Sequence, residues 1–228
     1  MPATILRKID PALMVESLGV LGLPGFTAWV GLRLVGDLAG RTVLISGASG
    51  AVGSVAGQLA RRAGARVVGI AGDARKCRHL VERLGFSAAV DRSAADFGSR
   101  LASACEGGAD VYFDNVGGGL FFTAMPAMRR GATVLICGLM SEYADQVEQG
   151  SRTAVLTEVM ARGLRLIGFS NRDHLAEFPA FEAELVPIVK AGRVVLEHDL
   201  RHGLEGAVEH MAALFEGAAG GKRLVSLA

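Results

Sequence analysis

The stretch "LISGASGAVGSVAGQLA", residues 44–60, sets Gly47, Gly50 and Gly53 with Ser46 and Ser49 between an apolar run and an alanine-rich segment of helical spacing. Ala48, Gly50 and Gly53 read as A-x-G-x-x-G at the point where a strand turns into a helix. In that context small residues have a physical purpose. Missing side chains let the backbone approach a diphosphate, while free N–H groups at the positive end of the helix bind its charge. Gly53 also lets the helix lie close against the strand. The pattern predicts a dinucleotide-binding corner.

Short β-branched runs surround this corner: "TVLIS" (42–46), "RVVGIA" (66–71), "SAAV" (87–90), "DVYFDN" (110–115), "ATVLICG" (132–138) and "LRLIGF" (164–169). Helical spacing falls between them, near 51–63, 74–84, 94–105 and 119–129. Strands apolar on both faces and separated by helices belong in a parallel sheet covered on both sides, so the expected fold is doubly wound α/β with six strands. An earlier helix is expected from Pro24 to about Ala39. After the sheet strands at 132–138 comes a long polar loop, Ser141 to Arg152. Helices near 174–191 and 204–216, the segment "VVLEHDL" and a terminal strand "RLVSLA" complete the chain. Residues 1–20 read as an N-terminal linker and 21–228 as one domain with a C-terminal extension.

The end of the second strand discriminates between dinucleotides. An NAD site places a carboxylate there to bind the ribose hydroxyls. Here "GIAGDARK" brings Gly72, then Asp73, Arg75 and Lys76, and Arg92 follows the third strand. Cations at this place suit a 2′-phosphate, so NADP(H) is favoured. Asp73 is the opposing signal, unless it points away or pairs with Arg75. Asp114 and Asn115, ending the fourth strand, are strand-end caps or ribose contacts.

Among 228 residues half are hydrophobic and the net charge is +1, with Lys and Arg scattered, which argues against nucleic acid or an anionic membrane as partner. Cys77, Cys105 and Cys137 lie far apart without close Cys or His partners, so neither disulfides nor a metal site are indicated. "MPATILRKIDPALM" lacks a secretory core, and no apolar run reaches membrane-spanning length. A cytoplasmic protein is expected.

Taken in order, "LGVLGLPGFTAWVGL", "GASGAVGS", "AGDARK", "YFDNVGG" and "ICGLMSEY" resemble the zinc-independent medium-chain dehydrogenase/reductases. The nearest branch looks like the NADPH-dependent alkenal and 15-oxoprostaglandin 13-reductases. The resemblance implies a Rossmann domain with Gly50, Ala51, Val52 and Gly53 under the pyrophosphate and Lys76 at the 2′-phosphate. It further implies Asn115 at the fourth strand's end, Cys137, Gly138 and Tyr143 beside the nicotinamide, and Phe169 and Ser170 near its carboxamide. Ala144 stands where the family usually has asparagine, and "DQVEQGSR" replaces a proline-rich continuation, so the departures fall on the substrate side.

The implied chemistry is NADPH-dependent reduction of the carbon–carbon double bond of an α,β-unsaturated aldehyde or ketone, with quinone reduction as a close variant. Hydride addition leaves an enolate, and a phenol can donate to that oxygen, which makes Tyr143 the candidate catalytic residue. Relatives carry a β-rich catalytic domain ahead of the first motif, and only about twenty residues precede it here. The expectations are a trimmed or split enzyme, or a binding module that holds NADP(H) without turnover, awaiting a separate β-rich domain. The C-terminal segments would then lose partners, and "LRLIGF" offers an apolar edge for a homodimer.

Overall fold

A computed structural model describes residues 7–138, 152–215 and 220–227. Six strands, β1 (Thr42–Ile45), β2 (Arg66–Ala71), β3 (Ala88–Asp91), β4 (Ala109–Asp114), β5 (Met128–Ile136) and β6 (Arg165–Gly168), form one parallel sheet in the order β3-β2-β1-β4-β5-β6. The order reverses between β1 and β4, the point where open α/β sheets carry a ligand crevice at the strands' carboxyl ends.

Strand alternation sends successive side chains to opposite faces. Val43 and Ile45 of β1 and Val111 and Phe113 of β4 enter one core. Leu44 and Tyr112 enter the other. The first core is covered by α2 (Leu23–Val35), α3 (Ala51–Arg62), α4 (Ala74–Glu82) and α8 (Phe178–Lys190). Phe26 of α2 lies 4.8 Å from Phe178 and 5.4 Å from Phe181, ring centre to ring centre, which fastens α8 to α2. The second core is covered by α5 (Phe97–Ala104), α6 (Gly118–Ala124) and α7 (Arg152–Arg162). A short α1 (Met14–Leu18) precedes these layers.

Several elements depart from the sequence expectation. Helix α2 stops at Val35 because Gly36 adopts φ 87°, four residues short of Ala39. The helix expected near 119–129, α6, ends at Ala124, and after a single 3-10 turn β5 starts at Met128, inside the expected span. Helix α7 was not anticipated at all. The C-terminal segments have found partners: β7 (His198–His202) and β8 (Lys222–Ser226) pair with each other in parallel, with α9 (Ala207–Phe215) packed beside them.

Candidate functional site

The glycine corner is built by close backbone approach. A side chain on Gly53 would put its β-carbon 2.4 Å from the Gly47 carbonyl oxygen and 2.8 Å from Ala48 Cα. Glycine is therefore what lets α3 start against β1. The Ala48 amide donates to the Ile70 carbonyl at 3.1 Å, anchoring the corner to β2. Gly50 caps α3 in an extended conformation with no side-chain bond, and its own amide donates to Gly47. The first helical bond is from Ser54 to Gly50. The amides of Ala51, Val52 and Gly53 are thus left with no intrahelical acceptor at the positive end of the helix dipole.

At the end of β2, a β-carbon on Gly72 would lie 3.8 Å from Arg92 Nε and 3.9 Å from Lys76 Nζ. Three residues named from sequence therefore converge beside the corner. Lys76 is buried along α4 while Arg75 is exposed. Asp73 caps α4: its carboxylate accepts the Lys76 amide at 2.7 Å and stands 3.6 Å from the Lys76 ammonium. That amide, more than any charge nearby, holds its carboxyl below the usual range. Asp73 thus pairs with Lys76 rather than with the Arg75 expected from the sequence, and its capping role accounts for a carboxylate at this place.

The ends of β4, β5 and β6 lie on the other side of the strand-order reversal. Asn115 Nδ2 donates to the Ser46 carbonyl at 2.8 Å, so β4 is tied to the corner of β1. Cys137 and Gly138 donate their amides to the Asp114 carbonyl at 2.9 and 3.1 Å. Burial, then the Asp114 charge, pushes the Cys137 thiol up to about 12. Phe169 packs its ring into the α2 core, where the absence of a side chain on Gly31 admits it together with Phe113. Ser170 is exposed and caps the following turn. Tyr143 lies outside the described residues.

Sequence reading undervalued Asp114. It is 1% exposed, and its carboxylate accepts from Ser46 Oγ at 2.6 Å, Tyr112 OH at 2.9 Å and the amides of Val116 and Gly117 at 3.2 Å. Burial, then this neighbour, raises the Tyr112 phenol well above its ordinary value. The signal available was a pair of polar residues, Ser46 and Asp114, ending adjacent apolar strands.

Residues 51–186 match the family model described as zinc-binding dehydrogenase, more than half of the chain. The chain belongs to that family. It is 38% identical over 217 residues to the NADPH-dependent curcumin reductase of Escherichia coli, covering 93% of this chain and 63% of that protein. It is 35% identical to the 2-alkenal reductase (NADP(+)-dependent) of Nicotiana tabacum, over 91% of this chain and 60% of the other. The crystal structure of CurA from Vibrio vulnificus in complex with NADPH superposes with a TM-score of 0.90 at 36% identity, covering 96% of this chain and 67% of that one. The chain thus spans about three fifths of the length of these curated relatives. Among the described residues no group of three His, Cys, Asp or Glu stands together that could hold the zinc of the family's name. The three cysteines are scattered over α4, the end of α5 and the end of β5. Kinship to the curcumin and alkenal reductases fits the zinc-independent medium-chain dehydrogenase/reductases.

Proposed function

We propose that this chain is the NADPH-binding part of a reductase acting on the carbon–carbon double bond of α,β-unsaturated aldehydes or ketones. The convergence of Lys76 and Arg92 on Gly72, next to the open amides of α3, carries the reading. Kinship to the curcumin and alkenal reductases supports the substrate class. Bound NADPH supplies the hydride for such a reduction.

The chain's own residues do the rest. Amides of Ala51, Val52 and Gly53 bind the diphosphate, and Gly50 and Ala48 keep its approach clear of side chains. Lys76 and Arg92 hold the 2′-phosphate, Arg75 adds positive potential, and Gly72 leaves them room. Asn115, Cys137 and Gly138 border the nicotinamide from the ends of β4 and β5, with Phe169 and Ser170 behind from β6. The high pKa of Cys137 keeps that thiol neutral beside the reacting ring. Tyr143, assigned from the sequence, donates its phenolic proton toward the enolate oxygen.

We infer that the second wall of the cleft is a β-rich catalytic domain, in the same polypeptide or another. Leu204, Val208 and Met211 around α9 are 67%, 78% and 65% exposed, an apolar face suited to such a partner. A homodimer through the β6 edge fits the exposed Leu156, Met160 and Leu166, and among the described residues no single helix is long and apolar enough to cross a membrane, in keeping with a cytoplasmic setting. The test is a fluorescence titration with NADPH and NADH, followed by a 2-alkenal in the same cuvette. Preference for NADPH with its oxidation by the alkenal is expected. Absence of NADPH binding sinks the proposal. Binding without turnover favours instead an NADP(H)-binding module, to be rechecked after adding a β-rich partner.

A further inference from the structure

The strand that closes the chain touches the corner that opens the site. The Gly221 amide donates to the Ser49 carbonyl at 2.6 Å, and Gly221 pairs with Gly50 as a parallel β-bridge. Ser49 and Gly50 share one peptide plane. Its carbonyl is held by Gly221 and its amide by the Gly47 carbonyl at 2.9 Å, so the plane is fixed from both sides just before the three open amides of α3. We propose that β8 is a clasp on the glycine corner and that Gly221 is a positioning residue for dinucleotide binding; this rests on the corner holding NADPH.

Gly221 is suited to the place in two ways. Its φ is 77°, in the left-handed region that favours glycine, and a β-carbon would lie 2.2 Å from the Glu197 carbonyl oxygen. The adjacent Lys222 amide donates to that same carbonyl at 2.7 Å. Only a bare backbone passes between the Glu197 carbonyl and the glycine corner. The unit carrying β8 is in turn moored to the site's helices. Gln58 of α3 donates to the Val195 carbonyl at 3.0 Å and accepts its amide at 2.7 Å. His79, three residues beyond Lys76 on α4, lies 3.0 Å from the Glu197 carboxylate. A cleft of about 360 Å³ lies between these parts, lined by Ser49, Arg75, Lys76, His79, Glu197 and Gly221 among others. The C-terminal unit therefore meets both the diphosphate end and the 2′-phosphate end of the site. Coupling of this kind is reciprocal: a ligand on the α3 amides tightens β8, and loosening β8 weakens the ligand.

The experiment compares NADPH titrations of the unaltered chain, Gly221→Val and Gly206→Ala, with hydrogen–deuterium exchange of β8 measured with and without NADPH. Gly206 is the control, because a β-carbon there meets nothing within 4 Å. We expect Gly221→Val to raise the NADPH Kd tenfold or more with far-ultraviolet circular dichroism unchanged, and Gly206→Ala to leave it as it was. NADPH should slow exchange at Gly221–Ser226 in the unaltered chain, which a role confined to folding would not produce. If Gly221→Val fails to fold, the exchange result decides alone. An unchanged Kd in a folded Gly221→Val, or exchange in β8 indifferent to NADPH, overturns the clasp while leaving the proposed function standing. A folded, unaltered chain that does not bind NADPH overturns both.

Discussion

Asp73 and Lys76 meet twice: the carboxylate accepts the lysine's backbone amide at 2.7 Å and stands 3.6 Å from its ammonium. One residue thereby starts α4 and steadies the cation at the end of β2. Replacing Asp73 with alanine removes the cap and should lower stability by about 1 kcal/mol in urea denaturation. Asp73→Asn keeps an acceptor, so it should cost less while improving NADPH binding relative to NADH. The capping contribution also has a pH signature. Since the folded-state pKa is lowered, the stabilisation is present above the ordinary carboxylate value of about 3.9 and fades as pH falls through the lowered one.

Lys76 and Arg92 are assigned to the phosphate that distinguishes the two dinucleotides. Charge-assisted hydrogen bonds contribute about 1.5–3 kcal/mol each. Lys76→Ala or Arg92→Ala should therefore raise the NADPH Kd roughly tenfold to a hundredfold by this energy, with the NADH Kd little changed. Equal losses for both cofactors would move the phosphate site elsewhere.

Gly53→Val tests the corner itself. Its β-carbon would fall 2.4 Å from the Gly47 carbonyl, so α3 must shift away from β1. Overpacking of this kind costs about 1–3 kcal/mol. NADPH fluorescence enhancement should vanish while the protein stays folded with a lower Tm.

Removal of the Asp114 carboxylate should be the most damaging of these changes. Ser46 Oγ, Tyr112 OH and two backbone amides all donate to it in a fully buried setting. Asp114→Ala would leave those donors orphaned, at a cost of about 3 kcal/mol or more. Tyr112→Phe deletes only one donor and should cost about 1 kcal/mol. Chemical denaturation of the two variants side by side measures the difference.

The sheet and its glycine corner were legible because their signals are local. Apolar runs such as Val43–Ile45 and Val67–Ala71 are buried on both faces, and the small residues at 48, 50 and 53 sit in one turn. Helix α7 escaped notice for the opposite reason. Its apolar residues Val155, Leu156, Val159 and Met160 span little more than one turn after the polar stretch 141–152; that Val155 and Val159 pack on the second core while Leu156 and Met160 are 68% and 79% exposed is settled only by the tertiary fold. Tertiary pairing was equally silent. Nothing in "GGKRLVS" announces that Gly221 meets Ser49 across 172 positions of chain, and the convergence of donors on Asp114 depends on β1 and β4 being neighbours.

The cysteines give a prediction that needs no cofactor. Burial, then the Asp114 charge, pushes the Cys137 thiol up to about 12, while burial foremost pushes Cys77 and Cys105 to about 11. Alkylation proceeds through the thiolate. Against an ordinary thiol near 8.5, the thiolate fraction of Cys137 at pH 7.5 is smaller by about a thousandfold or more. Iodoacetamide labelling of the native protein should therefore be slow at Cys137 and slower still at Cys105, which is wholly buried, climb about tenfold for each unit of pH by the same thiolate argument, and become equal at all three cysteines in urea. Rapid labelling of Cys137 at neutral pH, followed by peptide mass spectrometry, would mean that the end of β5 is open to water and that the wall assigned to the nicotinamide is not closed by Asp114.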